Sequence, residues 1–232
     1  MKMKLIGLLG GMSWESTSEY YKIMNTEVTK RLGGHYSAEV LIYSLNFTEI
    51  KDLHFKGDWE GVAEMLTART LKLEQAGVKA IVICTNTMHI VADKIQEKIS
   101  IPIIHIVHET GKKVKEKNIK KIGLLGTKDT MEKPLYKDIF KDSYGIEIVT
   151  PNQEDRIKIN DIIYDELVFG KITKESKEKF LGIISKLLED GAEGIILGCT
   201  EIPLLINQED VAVPIFDTTL IHALAAVDFM LK

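Results

Sequence analysis

Cys84 and Cys199 are the two cysteines of a 232-residue chain, and each closes a short apolar run: Ala80-Ile81-Val82-Ile83 before Cys84-Thr85, and Ile195-Ile196-Leu197-Gly198 before Cys199-Thr200. A buried strand that ends on a thiol sets the sulfur beyond the carboxyl end of a sheet, where parallel α/β folds bind ligands. A helix starting there favours thiolate over thiol through its dipole and free N–H groups, and the same groups hold a carboxylate. One strand-end cysteine is most simply packing, because free cysteine is among the most buried residue types. Two at matched positions describe a cleft whose walls present one thiol each. Racemisation at a carbon acid needs that arrangement and no cofactor. One thiolate removes the α-proton from one face, the other thiol returns a proton to the opposite face, and the roles swap for the other enantiomer. A thiol pKa of about 8.5 lets both forms coexist near neutrality, and flanking hydroxyls and amides stabilise the enolate-like charge.

The elements that must carry these thiols repeat. Ile6-Gly7-Leu8-Leu9-Gly10 is identical to Ile122-Gly123-Leu124-Leu125-Gly126. Ile101-Pro102-Ile103-Ile104-His105 echoes Val213-Pro214-Ile215-Phe216-Asp217. With the cysteine runs these make three echoes in one order, each separated by about 115 residues, which implies two similar halves. Leu5–Leu9, Val40–Leu45, Ala80–Ile83 and Ile103–Ile106 read as strands covered on both faces. Tyr21, Met24, Val28 and Leu32 recur at helical spacing behind a capping box of Ser16 and Glu19. Trp59–Gln75 reads as a helix stopped at Gly77, and Asn152–Phe169 and Lys174–Glu189 as helices separated by Gly170. Such alternation predicts α/β lobes with parallel sheets and right-handed crossovers. The expected division is 1–107 for the first lobe, with a C-terminal helix over 217–232 packing back on it, and 108–216 for the second, with the active site in the cleft between them. The lysine-rich stretch Gly111–Lys121 reads as a solvated helix and connector.

Composition narrows the class. The chain is 45% hydrophobic and 28% charged, as a globular protein is. Thirty Lys and Arg against 34 Asp and Glu leave a net charge of -4, which argues against nucleic-acid binding through a basic face. No apolar run reaches the roughly 18 residues that span a bilayer, and no polybasic block suggests a membrane surface. Lys2 and Lys4 ahead of Leu5–Leu9 imitate a short signal peptide, but the copy of that strand in mid-chain points to a buried strand instead. Two cysteines are too few for a disulfide scaffold and lack the spacing of a zinc site. The expected compartment is the cytosol, with no metal and no cofactor.

Three motifs, Gly10-Gly11-Met12-Ser13-Trp14-Glu15-Ser16-Thr17, Cys84-Thr85-Asn86-Thr87-Met88-His89 and Gly198-Cys199-Thr200-Glu201, resemble those of the cofactor-independent aspartate/glutamate racemases, over nearly the whole chain. The resemblance implies a pseudo-symmetric two-lobe fold, Cys84 and Cys199 as the two acid/base residues, and a homodimer. It also implies that Met12, Thr85, Asn86, Thr87, Thr127, Thr200 and Glu201 contact the amino acid, chiefly its α-carboxylate and amino group. Aspartate-specific relatives place basic side chains around the distal carboxylate. The corresponding segment here, Asn46–Trp59, offers Lys51, His54 and Lys56 but no arginine. His54 aligns with a glutamine of relatives with looser specificity. A second basic contact would fall in Tyr164–Lys171, where Lys171 is the basic residue. A dicarboxylic amino acid, aspartate first and then glutamate, is the expected substrate.

Other readings stay open on sequence. Gly7, Gly10 and Gly11 suggest a dinucleotide loop, but the spacing is not G-x-G-x-x-G and no acidic residue ends the next strand. A tight turn at a small substrate fits them better. His89 suggests a Cys/His nucleophile pair, yet helical spacing turns it away from Cys84, as befits a satisfied or exposed histidine. His105 and Asp217 occupy equivalent strand ends. Broad-specificity amino-acid racemases, hydantoin racemases, maleate isomerases, arylmalonate decarboxylases and a two-lobed amino-acid-binding protein are alternatives on the same scaffold.

Overall fold

The computed structural model describes residues 3–232; Lys2 lies outside the described residues. The chain divides into two units, one of residues up to Ile106 together with Thr219–Lys232, the other Val107–Thr218. In the first, β1 (Ile6–Gly10), α1 (Trp14–Leu32), β2 (Val40–Ser44), α2 (Phe47–Phe55), α3 (Trp59–Gln75), β3 (Ala80–Ile83), α4 (Ala92–Gln96) and β4 (Ile103–Ile104) follow in order. The chain continues through α5 (Ile106–Glu116), β5 (Lys121–Gly126), α6 (Lys128–Glu132), α7 (Pro134–Ile139), β6 (Glu147–Val149), α8 (Gln153–Asp165), α9 (Lys174–Glu189), β7 (Ile195–Gly198) and β8 (Ile215–Asp217). Helix α10 (Thr218–Leu231) returns to the first unit.

Each unit has one parallel four-stranded sheet, ordered β2-β1-β3-β4 and β6-β5-β7-β8. The repeated motifs thus form the same two central strands in each, and the α/β fold of two pseudo-symmetric lobes is established. The apolar runs are strands because both faces are covered. Ile6, Leu8, Ala80, Val82 and Cys84 pack with Tyr20 and Met24 of α1 and Ala223, Val227 and Met230 of α10, whereas Leu9, Ile81 and Ile83 point the other way, towards Ile50 of α2 and Leu66 of α3. This is the period-two alternation of a strand. In the second unit Leu125, Ile195 and Leu197 pack with Ile159 of α8 and Phe180 and Ile184 of α9.

Local details depart from the sequence expectation. The first helix is capped by Ser13, whose side chain accepts from the Ser16 N–H at 3.1 Å. The Ser16–Glu19 box is absent because the helix begins three residues earlier and Ser16 is used elsewhere: buried, it donates its hydroxyl to the Cys84 carbonyl at 2.9 Å. The expected helix Asn152–Phe169 is interrupted. Asn152 is its N-cap, α8 stops at Asp165, and Leu167–Phe169 forms a 3-10 turn closed by left-handed Gly170. The strand expected over Ile103–Ile106 ends at Ile104, since α5 already starts at Ile106.

Gly11 shows what the turn after β1 demands. Its φ is +81°, and a Cβ there would lie 2.2 Å from the Leu45 carbonyl oxygen. Gly11→Ala is expected to cost about 3 kcal/mol from left-handed strain plus backbone collision. Gly33→Ala, with φ +75° and nothing within 4 Å, should cost about 1 kcal/mol. Urea unfolding of both variants checks the difference; equal midpoints would mean that the close approach to Leu45 is relieved at no cost.

Candidate active site

In the first unit the site is built where β1 and β3 end side by side. The Cys84 N–H donates to the Leu9 carbonyl at 2.9 Å, its carbonyl receives Ser16, and its thiol lies 3.8 Å from the Val82 carbonyl oxygen. The side chain is fully buried. The Gly11 N–H donates to the Thr17 hydroxyl at 2.9 Å, which fixes the turn that buries Met12. Thr85 and Thr87 are half-buried and Asn86 is buried, in a loop leading to a 3-10 turn at Thr87–Val91. His54, on α2, is half-buried with its ring 5.4 Å from Phe55 and 5.2 Å from Trp59. Lys51 lies over the Phe55 ring, and both Lys51 and Lys56 are exposed.

In the second unit Cys199 follows β7 as Cys84 follows β3, but its surroundings differ. The thiol donates to Glu201 Oε2 at 2.9 Å, and the Thr200 hydroxyl donates to the same oxygen at 2.7 Å. Glu201 is buried, so the carboxylate is a preset acceptor beside the sulfur. Thr127 caps α6, its hydroxyl 3.1 Å from that of Thr130. Tyr164, on α8, is the residue that sequence missed. Burial, with Cys199, Asp129 and Glu201 nearby adding to it, pushes its phenol up to about 12, so it is a neutral hydroxyl in the surroundings of Cys199. Lys171, the expected second basic contact, is exposed beyond Gly170, and its charge falls on Glu175 at the start of α9.

The expectation of thiolates stabilised at helix N-termini is overturned. Burial raises the Cys84 thiol far above its ordinary value. Burial, then the charge and hydrogen bond of Glu201, raises Cys199 likewise. The segment after each strand is a short 3-10 turn rather than a long helix, so there is little dipole to offset desolvation. Both groups rest as thiols. Cys199 nevertheless holds a route to ionisation, because proton transfer within the S–H···carboxylate pair leaves the pair's net charge unchanged. Loss of the proton to solvent would instead place two anions together.

His89 is buried and satisfied, as the second of its two sequence readings has it. His105 sits next to it, ring centroids 4.7 Å apart. No group of three or more His, Cys, Asp or Glu among the described residues is arranged to hold a metal, and none of the described helices is long and apolar enough to cross a membrane.

The family model for Asp/Glu/Hydantoin racemases matches residues 9–226. The chain belongs to the Asp/Glu/Hydantoin racemase family. By that membership it is an isomerase of the racemase type. It is similar, at 48% identity and a TM-score of 0.94, to a candidate Asp/Glu racemase of Yersinia pestis, with 99% of this chain and 100% of that one covered. An aspartate racemase homologue from Pyrococcus horikoshii OT3 is 35% identical with a TM-score of 0.87, over 99% and 100% of the two chains. A broad-specificity amino-acid racemase of Bacillus subtilis is 25% identical over 93% of each chain.

Proposed function

We propose that this racemase-family enzyme interconverts L- and D-aspartate, or glutamate, without pyridoxal phosphate or metal, using Cys84 and Cys199 as the two acid/base groups. The observation that carries the reading is the matched placement of the two thiols, each at the end of the same central strand of its own sheet. In one direction the Cys199 proton moves to Glu201, and the resulting thiolate takes the α-proton. The electron pair of the broken Cα–H bond passes to the substrate carboxylate as an enolate. The Cys84 thiol then protonates the opposite face, and solvent restores the two side chains. The other direction starts from the state that precedes this restoration, with Cys84 as thiolate and Glu201 protonated: Cys84 takes the α-proton, the Cys199 thiol protonates the opposite face, and Glu201 returns its proton to Cys199. Met12, Thr85, Asn86, Thr87, Thr127 and Thr200 are assigned to the amino acid, and Lys51 and His54 of α2, with Lys56 just after it, to a distal carboxylate. The broad-specificity relative supports a second reading in which neutral amino acids are also substrates. A cytosolic homodimer completes the reading.

The test is L-aspartate, L-glutamate and L-alanine in D2O with EDTA and no pyridoxal phosphate, followed by chiral chromatography and mass spectrometry. The expected result is a D-enantiomer carrying one deuterium at Cα, with aspartate fastest. Binding without exchange would replace an enzyme by a binding protein, and equal rates for all three would favour the broad-specificity reading.

Glu201 supplies a separate prediction. Removing its charge lowers the Cys199 pKa, and below that pKa the thiolate fraction rises tenfold per unit. Glu201→Gln should therefore speed alkylation of Cys199 by iodoacetamide at pH 8 by about tenfold, while slowing racemisation through loss of the proton acceptor. Unchanged alkylation would show that Glu201 does not govern the thiol.

A further inference from the structure

The Cys84 loop has a fastening that its counterpart lacks, and the proposed chemistry does not use it. The His89 ring bridges two backbone groups: Nδ1 lies 2.8 Å from the Thr85 carbonyl oxygen, and Nε2 lies 3.3 Å from the Ile106 N–H. A carbonyl only accepts and an amide N–H only donates, so Nδ1 carries the proton and Nε2 is the acceptor. The ring therefore acts as a neutral imidazole. It joins the residue that follows Cys84 to the start of α5, the element after β4. Around it, His105 lies 4.7 Å away and His222 of α10 5.4 Å away, ring centre to ring centre. His222 donates through Nε2 to the Ile104 carbonyl and accepts the Tyr20 hydroxyl of α1 on Nδ1 at 2.8 Å. The backbone on both sides of His105 is thus held by imidazoles.

The second half shows that a strand–loop–3-10 segment forms without such a ring. Five residues after Cys199 stands Leu204, which is 54% exposed. There the thiol is held directly by Glu201; in the first half the sulfur lies 3.8 Å from the Val82 carbonyl while Leu9 and Ser16 hold the Cys84 backbone, so the loop that follows is the remaining element that fixes how the thiol is presented.

We propose that His89 is a positioning residue for Cys84: its neutral ring pins the Cys84-Thr85-Asn86-Thr87 loop to the start of α5, just after β4, keeping the thiol shut from solvent and aimed for proton transfer. That the aim serves racemisation rests on the function proposed above; the pinning itself does not.

Both cysteines are alkylated with iodoacetamide at fixed pH, and the rates are read separately by peptide mass mapping, alongside kcat and KM. His89→Leu removes both hydrogen bonds. His89→Gln keeps one donor and one acceptor and cannot become a cation. The expected result for His89→Leu is Cys84 alkylation faster by about tenfold with Cys199 unchanged, and kcat lower by about tenfold or more with KM little altered. His89→Gln should recover most of both effects. Cys199 is the internal control, since general loosening or unfolding exposes both thiols together. Equal acceleration of both, an unchanged Cys84 rate, or no recovery by glutamine would each overturn the proposal. If Cys84 protection follows the expected pattern while the wild type turns over no amino acid, the fastening stands and the racemase reading falls.

Discussion

Alanine at Cys84 or at Cys199 is expected to lower kcat for racemisation by about 10^3-fold or more while leaving a folded protein. General acid–base groups each contribute about 10^2 to 10^4, and inversion needs both: a base without a facing acid returns the proton to the face it left. The two losses should therefore be similar and strongly non-additive, because the thiols act as a unit. The fold has reason to survive. Cys84 contributes one small buried side chain beside Val82, Tyr20 and Met24, and Cys199 is only partly buried. Chiral chromatography of each variant, with circular dichroism as the fold check, reads the result. One variant at wild-type rate would remove that thiol from the mechanism. Loss in both with amino-acid affinity retained would separate catalysis from binding.

The path from sequence to these thiols was legible where physics is local. Ala80–Ile83, Trp59–Gln75 and Lys174–Glu189 are an apolar strand and two amphipathic helices, and their limits follow from a buried run or from capping residues such as Asp58 and Thr173. The doubled strand order follows from the doubled motifs. What sequence does not carry is where a side chain spends its hydrogen bonds. Ser16 has a capping residue's chemistry, yet the tertiary turn behind Gly11 gives its hydroxyl to Cys84. Thiolate character was read from position alone and fails, because burial outweighs a 3-10 turn's weak dipole. Glu201 looked like a substrate contact; whether it also meets Cys199 depends on side-chain direction after a strand ends. Tyr164 lies 35 residues before Cys199 in the sequence and carries no motif, so only the fold brings it near. His222 was one residue of the C-terminal helix until the fold supplied Ile104 of β4 and Tyr20 of α1.

Those buried imidazoles give the second large effect, a steep loss of stability in mild acid. Burial, partly offset by the hydrogen bond to Ile104, lowers His222 from 6.5 to about 3. Burial together with His105 and His222 drives His89 well below its ordinary value. The sign follows from proton uptake. Below pH 6.5 the unfolded chain binds a proton at each histidine, whereas the native state does not until much lower pH, so unfolding is favoured as pH falls. For His222 the stability is complete above about pH 6.5 and is lost progressively towards pH 3, at about 1.4 kcal/mol per pH unit. Between pH 7 and pH 5 His222 should remove about 2 kcal/mol, and His89 acts in the same direction. The carboxylates whose pKa values are depressed, Asp155 and Asp210 among them, add their losses only lower down. Urea midpoints at pH 7 and pH 5 measure the fall. His222→Gln, which keeps a donor for Ile104 and an acceptor for Tyr20 but cannot titrate, should fall less by about 2 kcal/mol. A wild-type midpoint that is flat across this range, or a glutamine variant that falls as far as the wild type, would mean that the imidazoles accept protons in place, and that the His89 and His222 bridges do not require neutral rings.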